Sequence, residues 1–83
     1  MITLKQMQCL LAIEETSHFR RAAERLGMTQ PSLSVQVQNL ETELGLRLAE
    51  RSRSGVVLTP AGREVADRAR RIMNEVQGVA DFA

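Results

Sequence analysis

The 83-residue chain lacks much of what catalysis and large cores require. It has no Trp, no Tyr and only two Phe, so its core must be aliphatic. Leu, Val, Ile, Ala and Met without aromatics suit packed helices better than a sheet. The single cysteine, Cys9, excludes an internal disulfide and fits a reducing compartment. A buried, structural thiol is the expected role of Cys9 among its apolar neighbours. With one Cys and one His (His18), neither a zinc site nor a Ser/His/Asp set is expected. There is no glycine-rich phosphate loop. The scattered Glu residues are better placed to pair with Arg on helix surfaces than to act as acid and base. No enzyme, metal or cofactor is therefore expected. No apolar run reaches the roughly 20 residues that span a bilayer. The opening Met1-Ile2-Thr3-Leu4-Lys5-Gln6 lacks a signal peptide's apolar segment. A cytoplasmic protein with no membrane partner is expected. The length implies one domain with a modest core.

The net charge of +1 names no partner, but its distribution does more. Arg47, Arg51 and Arg53 crowd one short stretch, and Arg63, Arg68, Arg70 and Arg71 another. Residues 28–46 hold no Lys or Arg at all. Within them, Thr29 reads as the N-cap of a helix that opens Gln30-Pro31 and ends at Leu44 before Gly45. Pro is tolerated in a first turn, where its missing N–H has no partner anyway. Leu33, Val37, Leu40 and Leu44 form one stripe, at spacings of 4, 3 and 4. The opposite face carries Pro31, Ser32, Val35, Gln38, Asn39 and Thr42, with Gln30, Ser34 and Gln36 at the flanks. A solvated helix face is normally charged. One dense in hydroxyls and amides offers hydrogen bonds in several directions, as a reader of base edges must. We read it as a DNA-recognition helix.

The remaining chain predicts a frame for that helix. Thr3-Leu4-Lys5-Gln6 reads as a capping box. A first helix then runs to about Glu15, with Leu4, Met7, Leu10, Leu11 and Ile13 inward. Ser17 is the expected N-cap of a second helix, His18 to Leu26, whose inner face is Phe19, Ala22, Ala23 and Leu26. Gly27 suits a left-handed C-terminal position. So short a turn before Thr29 is the sequence shape of a helix-turn-helix. After Gly45, Leu46, Leu48 and Ala49 lead through a polar stretch, Glu50 to Gly55, to Val56-Val57-Leu58, a hairpin signal. Following a helix-turn-helix, such a hairpin is a wing. Thr59-Pro60 restarts a helix as N-cap and N1, which runs to about Ala80. Val65, Ala69, Ile72, Val76, Val79 and Ala83 repeat at 4, 3, 4, 3 and 4, a heptad seam. A second copy of the chain is the natural partner for it, and Val65 and Ala69 are placed to touch the body of the domain as well. The expected architecture is mainly α. A winged helix-turn-helix occupies 1–58, and a long linker and dimerisation helix occupies 59–83.

Ser17-x-Phe19-x-x-Ala22-Ala23-x-x-Leu26, Gln30-Pro31-Ser32-Leu33-Ser34, Leu40-Glu41-x-Glu43-Leu44-Gly45-x-x-Leu48, Glu50-Arg51 and Leu58-Thr59-x-x-Gly62 follow in this order. Together they resemble the N-terminal domain of LysR-type transcriptional regulators, from about Leu4 to about Ala80. The resemblance implies a homodimer that binds double-stranded DNA through an antiparallel pair of linker helices. It also implies an interrupted palindromic operator. Full-length members carry an effector-binding domain, to which a small-molecule effector and any tetramer contacts would belong. His18-Phe19 and Leu33-Ser34-Val35-Gln36 also resemble the peroxide-responsive branch, whose sensing cysteines lie in that other domain. Many members have Arg where this chain has Val35, and Leu-Phe where it has Leu48-Ala49.

The resemblance implies DNA contacts at positions matching Gln30, Pro31, Ser32, Ser34 and Val35. Thr29 at the helix start and Gln38 on the outer face complete that surface. In the wing, Arg51, Arg53 and Ser54 are expected at phosphates or the minor groove, contacts that position more than they specify. Arg20 and Arg21 are placed equally well to meet the backbone or to face solvent. Val35 is expected to pack on a thymine methyl. Val65, Ala69, Ile72, Val76 and Val79 are the expected dimer interface. A winged-helix module for binding other proteins is the alternative. It would more often expose aromatics or Leu, whereas the outer face here exposes only Val35.

Overall fold

Thr3 starts the first helix as its spacing to Gln6 predicts. In the computed structural model, which covers residues 1–83, its hydroxyl accepts from the Gln6 N–H and the Gln6 side chain accepts from the Thr3 N–H. Helix α1 (Leu4–Thr16) follows. Its buried residues are Gln6, Cys9, Leu10, Ala12 and Ile13. Leu4, expected inside, is 44% exposed, and Met7 and Leu11 are half-buried. The reason is that α1 is central: α2, α3, α4 and the hairpin all pack on it. The helix is therefore enclosed on more than one side. Small Cys9 and Ala12 face the closest neighbours, and the larger Leu4 at the open end is left out.

Ser17 does not cap the second helix. It ends the first, in the left-handed region at φ 60°, with its N–H donating to the Ile13 carbonyl. Helix α2 (Phe19–Arg25) has His18 at its N-cap position, extended and without a side-chain cap. Ala22 and Ala23 are buried and let α1 and α3 approach closely. Gly27 takes φ 65° in the turn, and Met28 donates back to Ala23. Thr29 then caps helix α3 (Gln30–Leu44) by accepting from the Ser32 N–H. Leu33, Val37 and Leu40 are buried as the stripe requires, and Leu44 is half-buried.

The polar stretch forms strands sooner than expected. Strand β1 (Ala49–Ser52) pairs antiparallel with β2 (Gly55–Leu58), Ala49 opposite Leu58, so Arg51 and Ser52 lie in a strand and only Arg53-Ser54 turn. The wing is fastened at both ends. At its base the Glu41 carboxylate accepts from the Leu48 and Ala49 N–H groups. At its tip side the Val56 N–H donates to the Ser17 carbonyl. Gly55, at φ 142°, lies so close that a Cβ there would come 2.2 Å from the same carbonyl.

Thr59 caps helix α4 (Pro60–Phe82) by accepting from the Gly62 N–H, while its own hydroxyl donates to the Arg47 carbonyl. Two adjoining apolar clusters make the core. Cys9, Ala12, Ile13, Ala22, Ala23, Leu33, Val37 and Val56 join the helix-turn-helix to the wing. Leu10, Leu40, Leu48 and Ala66 join α1, α3 and the wing base to α4. The result is a winged helix-turn-helix with a 23-residue helix running off it.

Candidate nucleic-acid interface

The outer face of α3 owes its availability to the packing of its inner face. With Leu33, Val37 and Leu40 held in the core, Pro31, Ser32, Val35, Gln38, Asn39 and Thr42 are exposed. Gln30 is exposed at the first turn, and Ser34 is half-buried at the flank. Thr29 is the cap, and its hydroxyl donates to the Ser32 hydroxyl. These two oxygens are thus committed to the helix start. Of the first N–H groups of α3, Pro31 has none and those of Ser32 and Leu33 donate to Thr29, so the Gln30 N–H and the positive end of the helix dipole are what the first turn offers a phosphate.

The wing runs beside this face. Phe19, Ser34, Gln38, Thr42, Arg47, Glu50 and Arg51 are among the residues that border one open groove of about 920 Å³ between α3 and β1. Arg51 does not hang free there. Its guanidinium lies 4.4 Å from the centroid of the Phe19 ring. A cation over an aromatic face is held by the ring's quadrupole, so Arg51 is presented along the flank of α3. Arg53 and Ser54 form the hairpin tip and are exposed. The wing therefore divides its positive charge into a supported group at the groove and an exposed one at the tip.

The ion pairs show which arginines are committed elsewhere. Arg25 meets Glu15, Arg68 meets Glu64, and Arg70 bridges Glu14 of α1 and Asp67. Arg20 approaches Glu24 at 3.7 Å. Arg51 and Arg53 take part in no ion pair. Of the two acids at the groove, Glu41 is occupied by two wing N–H groups, while Glu50 on β1 is exposed and takes part in no ion pair. Arg51 and Arg53 thus keep their charge beside α3, while on α4 Arg68 and Arg70 are paired and Arg63 and Arg71 meet only backbone carbonyls.

Two contributors were missed in the sequence. Glu41 was read only as part of a motif, although it is the one acid in an otherwise uncharged stretch up to Thr42, a signal that it has an internal task. The Arg51–Phe19 stack joins residues 32 apart and gave no local signal.

The candidate seam on α4 is divided. Ala69 is fully buried (0% exposed) against its own domain and is unavailable to a second chain. This corrects its expected place in a dimer interface; Ala66 and Gly62 share that inner face. Val65 is half-buried beside Ala66. Ile72, Val76 and Val79 are exposed, Val79 at 72%, and Phe82 stands exposed near the helix end.

Comparison with known proteins agrees with this geometry. Residues 4–63 match the family described as bacterial regulatory helix-turn-helix protein, lysR family. The chain is 39% identical over 82 residues to the DNA-binding transcriptional dual regulator OxyR of Escherichia coli K12, covering 99% of this chain and 27% of that protein. A full-length OxyR variant from Pseudomonas aeruginosa superposes with a TM-score of 0.92 at 39% identity, over 99% of this chain and 28% of that one. A complex of the CbnR DNA-binding domain with DNA superposes with a TM-score of 0.89 at 36% identity, over 96% of this chain and 92% of that one. The chain thus spans about a quarter of the full-length relatives. The match covers well over half of its residues, with the wing and both helices of the motif in place. The chain belongs to the LysR family of bacterial regulatory helix-turn-helix proteins.

Proposed function

We propose that this chain binds duplex DNA as a homodimer, in the cytoplasm, at an interrupted palindrome, and so directs transcription. The observation that carries this is the uncharged amide and hydroxyl face of α3 flanked by two wing arginines without ion pairs. In this assignment Gln30, Ser34, Val35 and Gln38 meet base edges, with Pro31 beside them. Thr29 and Ser32 hold the N-terminus of α3 against a phosphate. Arg51 meets the backbone along the groove, and Arg53 and Ser54 meet it or the minor groove at the wing tip. A relative of this fold was solved on DNA as an isolated domain, which supports the same use here.

Ile72, Val76 and Val79, with the exposed edge of Val65, form the surface for the second copy. Two-fold symmetry then places two α3 helices in successive major grooves. Effector binding and any higher assembly are assigned to the remainder of a longer regulator. The chain is a DNA-binding regulatory domain and not an enzyme.

A gel shift on the promoter adjoining the gene, run at two salt concentrations, tests this. The expected result is a shifted band that weakens as salt rises, with log K falling by roughly 0.9 per phosphate contacted for each tenfold rise in salt. Equal affinity for unrelated duplexes, or no shift at low salt, overturns it.

A further inference from the structure

We infer that α3 reads A·T pairs in the major groove, with Val35 packed on a thymine methyl and Gln38 facing a neighbouring adenine. This deepens the DNA-binding reading above and rests on it. Guanine is most commonly read by Arg or Lys on its O6 and N7 atoms. Residues 28–46 contain neither. The nearest guanidinium, on Arg51, is stacked over Phe19 beside the helix instead of on its outer face. Arg20 leans toward Glu24. The face that meets the bases therefore lacks the usual instrument for G·C.

What it holds instead matches A·T. Val35 is the one large apolar side chain exposed on α3, at 50%. Pro31 stands four residues earlier on the same side, also exposed, so the two form a short apolar strip. A β-branched residue there loses rotamer freedom in the helix and leaves half of its surface uncovered by the chain. Thymine is the base that presents a methyl group in the major groove, and it offers the surface that strip lacks. Gln38, three residues on and bordering the groove, carries the amide that pairs with the N6 and N7 of adenine. Since adenine pairs with thymine, one short A·T step supplies both partners.

The test uses this 83-residue chain, which closes its own two cores. Sites are first selected from random duplex DNA. Each thymine of the selected half-site is then replaced by uracil, which removes only the methyl, and affinity is measured by fluorescence anisotropy. Selected half-sites should carry A·T at the positions facing α3. Uracil at the matching position of both half-sites removes two methyls from the homodimer's site and should weaken wild type by about fifteenfold, about fourfold for each methyl. Val35→Ala should bind the thymine site about as weakly as wild type binds the uracil site, with no further loss on uracil. An unchanged Tm for Val35→Ala separates that loss from misfolding. A selection that enriches no site overturns the DNA reading itself. An enriched site on which uracil is neutral everywhere, or costs Val35→Ala as much as wild type, overturns only the assignment to Val35. Half-sites with G·C throughout the α3 positions overturn the A·T preference.

Discussion

Replacing Gly62 by Ala should loosen the mounting of α4. Gly62 is buried where the first turn of that helix crosses the wing base. A Cβ there would lie 2.0 Å from the Leu48 carbonyl oxygen and 2.9 Å from its carbon. These are backbone atoms and cannot rotate away. Relief requires the helix and the Leu48 segment to part by about 1 Å, a correction of the overpacking kind that costs about 1–3 kcal/mol. Two hydrogen bonds cross the same seam, Thr59 N–H to Leu48 at 2.9 Å and Thr59 hydroxyl to Arg47 at 2.6 Å. Weakening both adds about 1–2 kcal/mol. Against this, Ala is the better helix former by about 1 kcal/mol. The net loss is about 1–4 kcal/mol, from a total of about 4–12 kcal/mol for a chain of this length. For a domain of this size that lowers Tm by about 4–30 °C. Circular dichroism at 222 nm during a thermal ramp measures it. A variant that melts at or above the wild-type temperature would refute the reasoning, because the helix and the wing base would then be free to separate.

Three further outcomes are expected. Arg53→Ala should weaken binding by a similar factor on all duplexes and reduce the salt slope by about one unit; an unchanged slope in anisotropy titrations would mean that Arg53 faces only solvent. Placing Asp at both Ile72 and Val79, which are exposed, should leave a monomer in sedimentation at micromolar concentration that still melts cooperatively, at a temperature lowered by the loss of the dimer. A persistent dimer would remove this seam from the interface. Burial raises the pKa of the Cys9 thiol, and the charge of Lys5 opposes it without reversing it. The folded state therefore holds its thiol proton more tightly than the unfolded state. Stability is full below the ordinary thiol pKa and falls as pH rises through and beyond it. Iodoacetamide should accordingly label Cys9 slowly in native protein and quickly in urea, and fast native labelling would contradict its burial.

The sequence was most legible where structure is local. Thr3 with Gln6, Thr29 with Ser32, and Thr59 with Gly62 each declared a helix start within three residues, and each cap is present. The α3 stripe was equally plain, because one helix face meets the core and the other does not. Reading failed where several neighbours compete. Leu4 was placed inside and Ala12 overlooked, since the sequence shows a period but not how many elements surround a helix. Ser17 has the chemistry of an N-cap, yet its backbone is used to end α1 and its carbonyl to receive the wing. Ala69 was given two roles, in the seam and against the body of the domain, and packing leaves it only the second. Of the candidate interface, the residue types on α3 could be read directly. The support of Arg51 by Phe19 and the anchoring of the wing by Glu41 appear only once the hairpin has folded back.

The attachment of α4 sets how far its free end can travel. Gly62, Ala66 and Ala69 bind its first half to the body, and Arg70 ties it to Glu14 just beyond. From Ala69 to Phe82 is 13 residues, about 20 Å of unsupported helix. Such a helix is a lever with its fulcrum on α1. A tilt of about 10° at the fulcrum moves the tip by about 3.4 Å, the rise of a single base pair along the duplex. In the proposed dimer, where two such helices would pack along Ile72, Val76 and Val79, small angular differences at Glu14 and Arg70 would become whole steps in the distance between the half-sites.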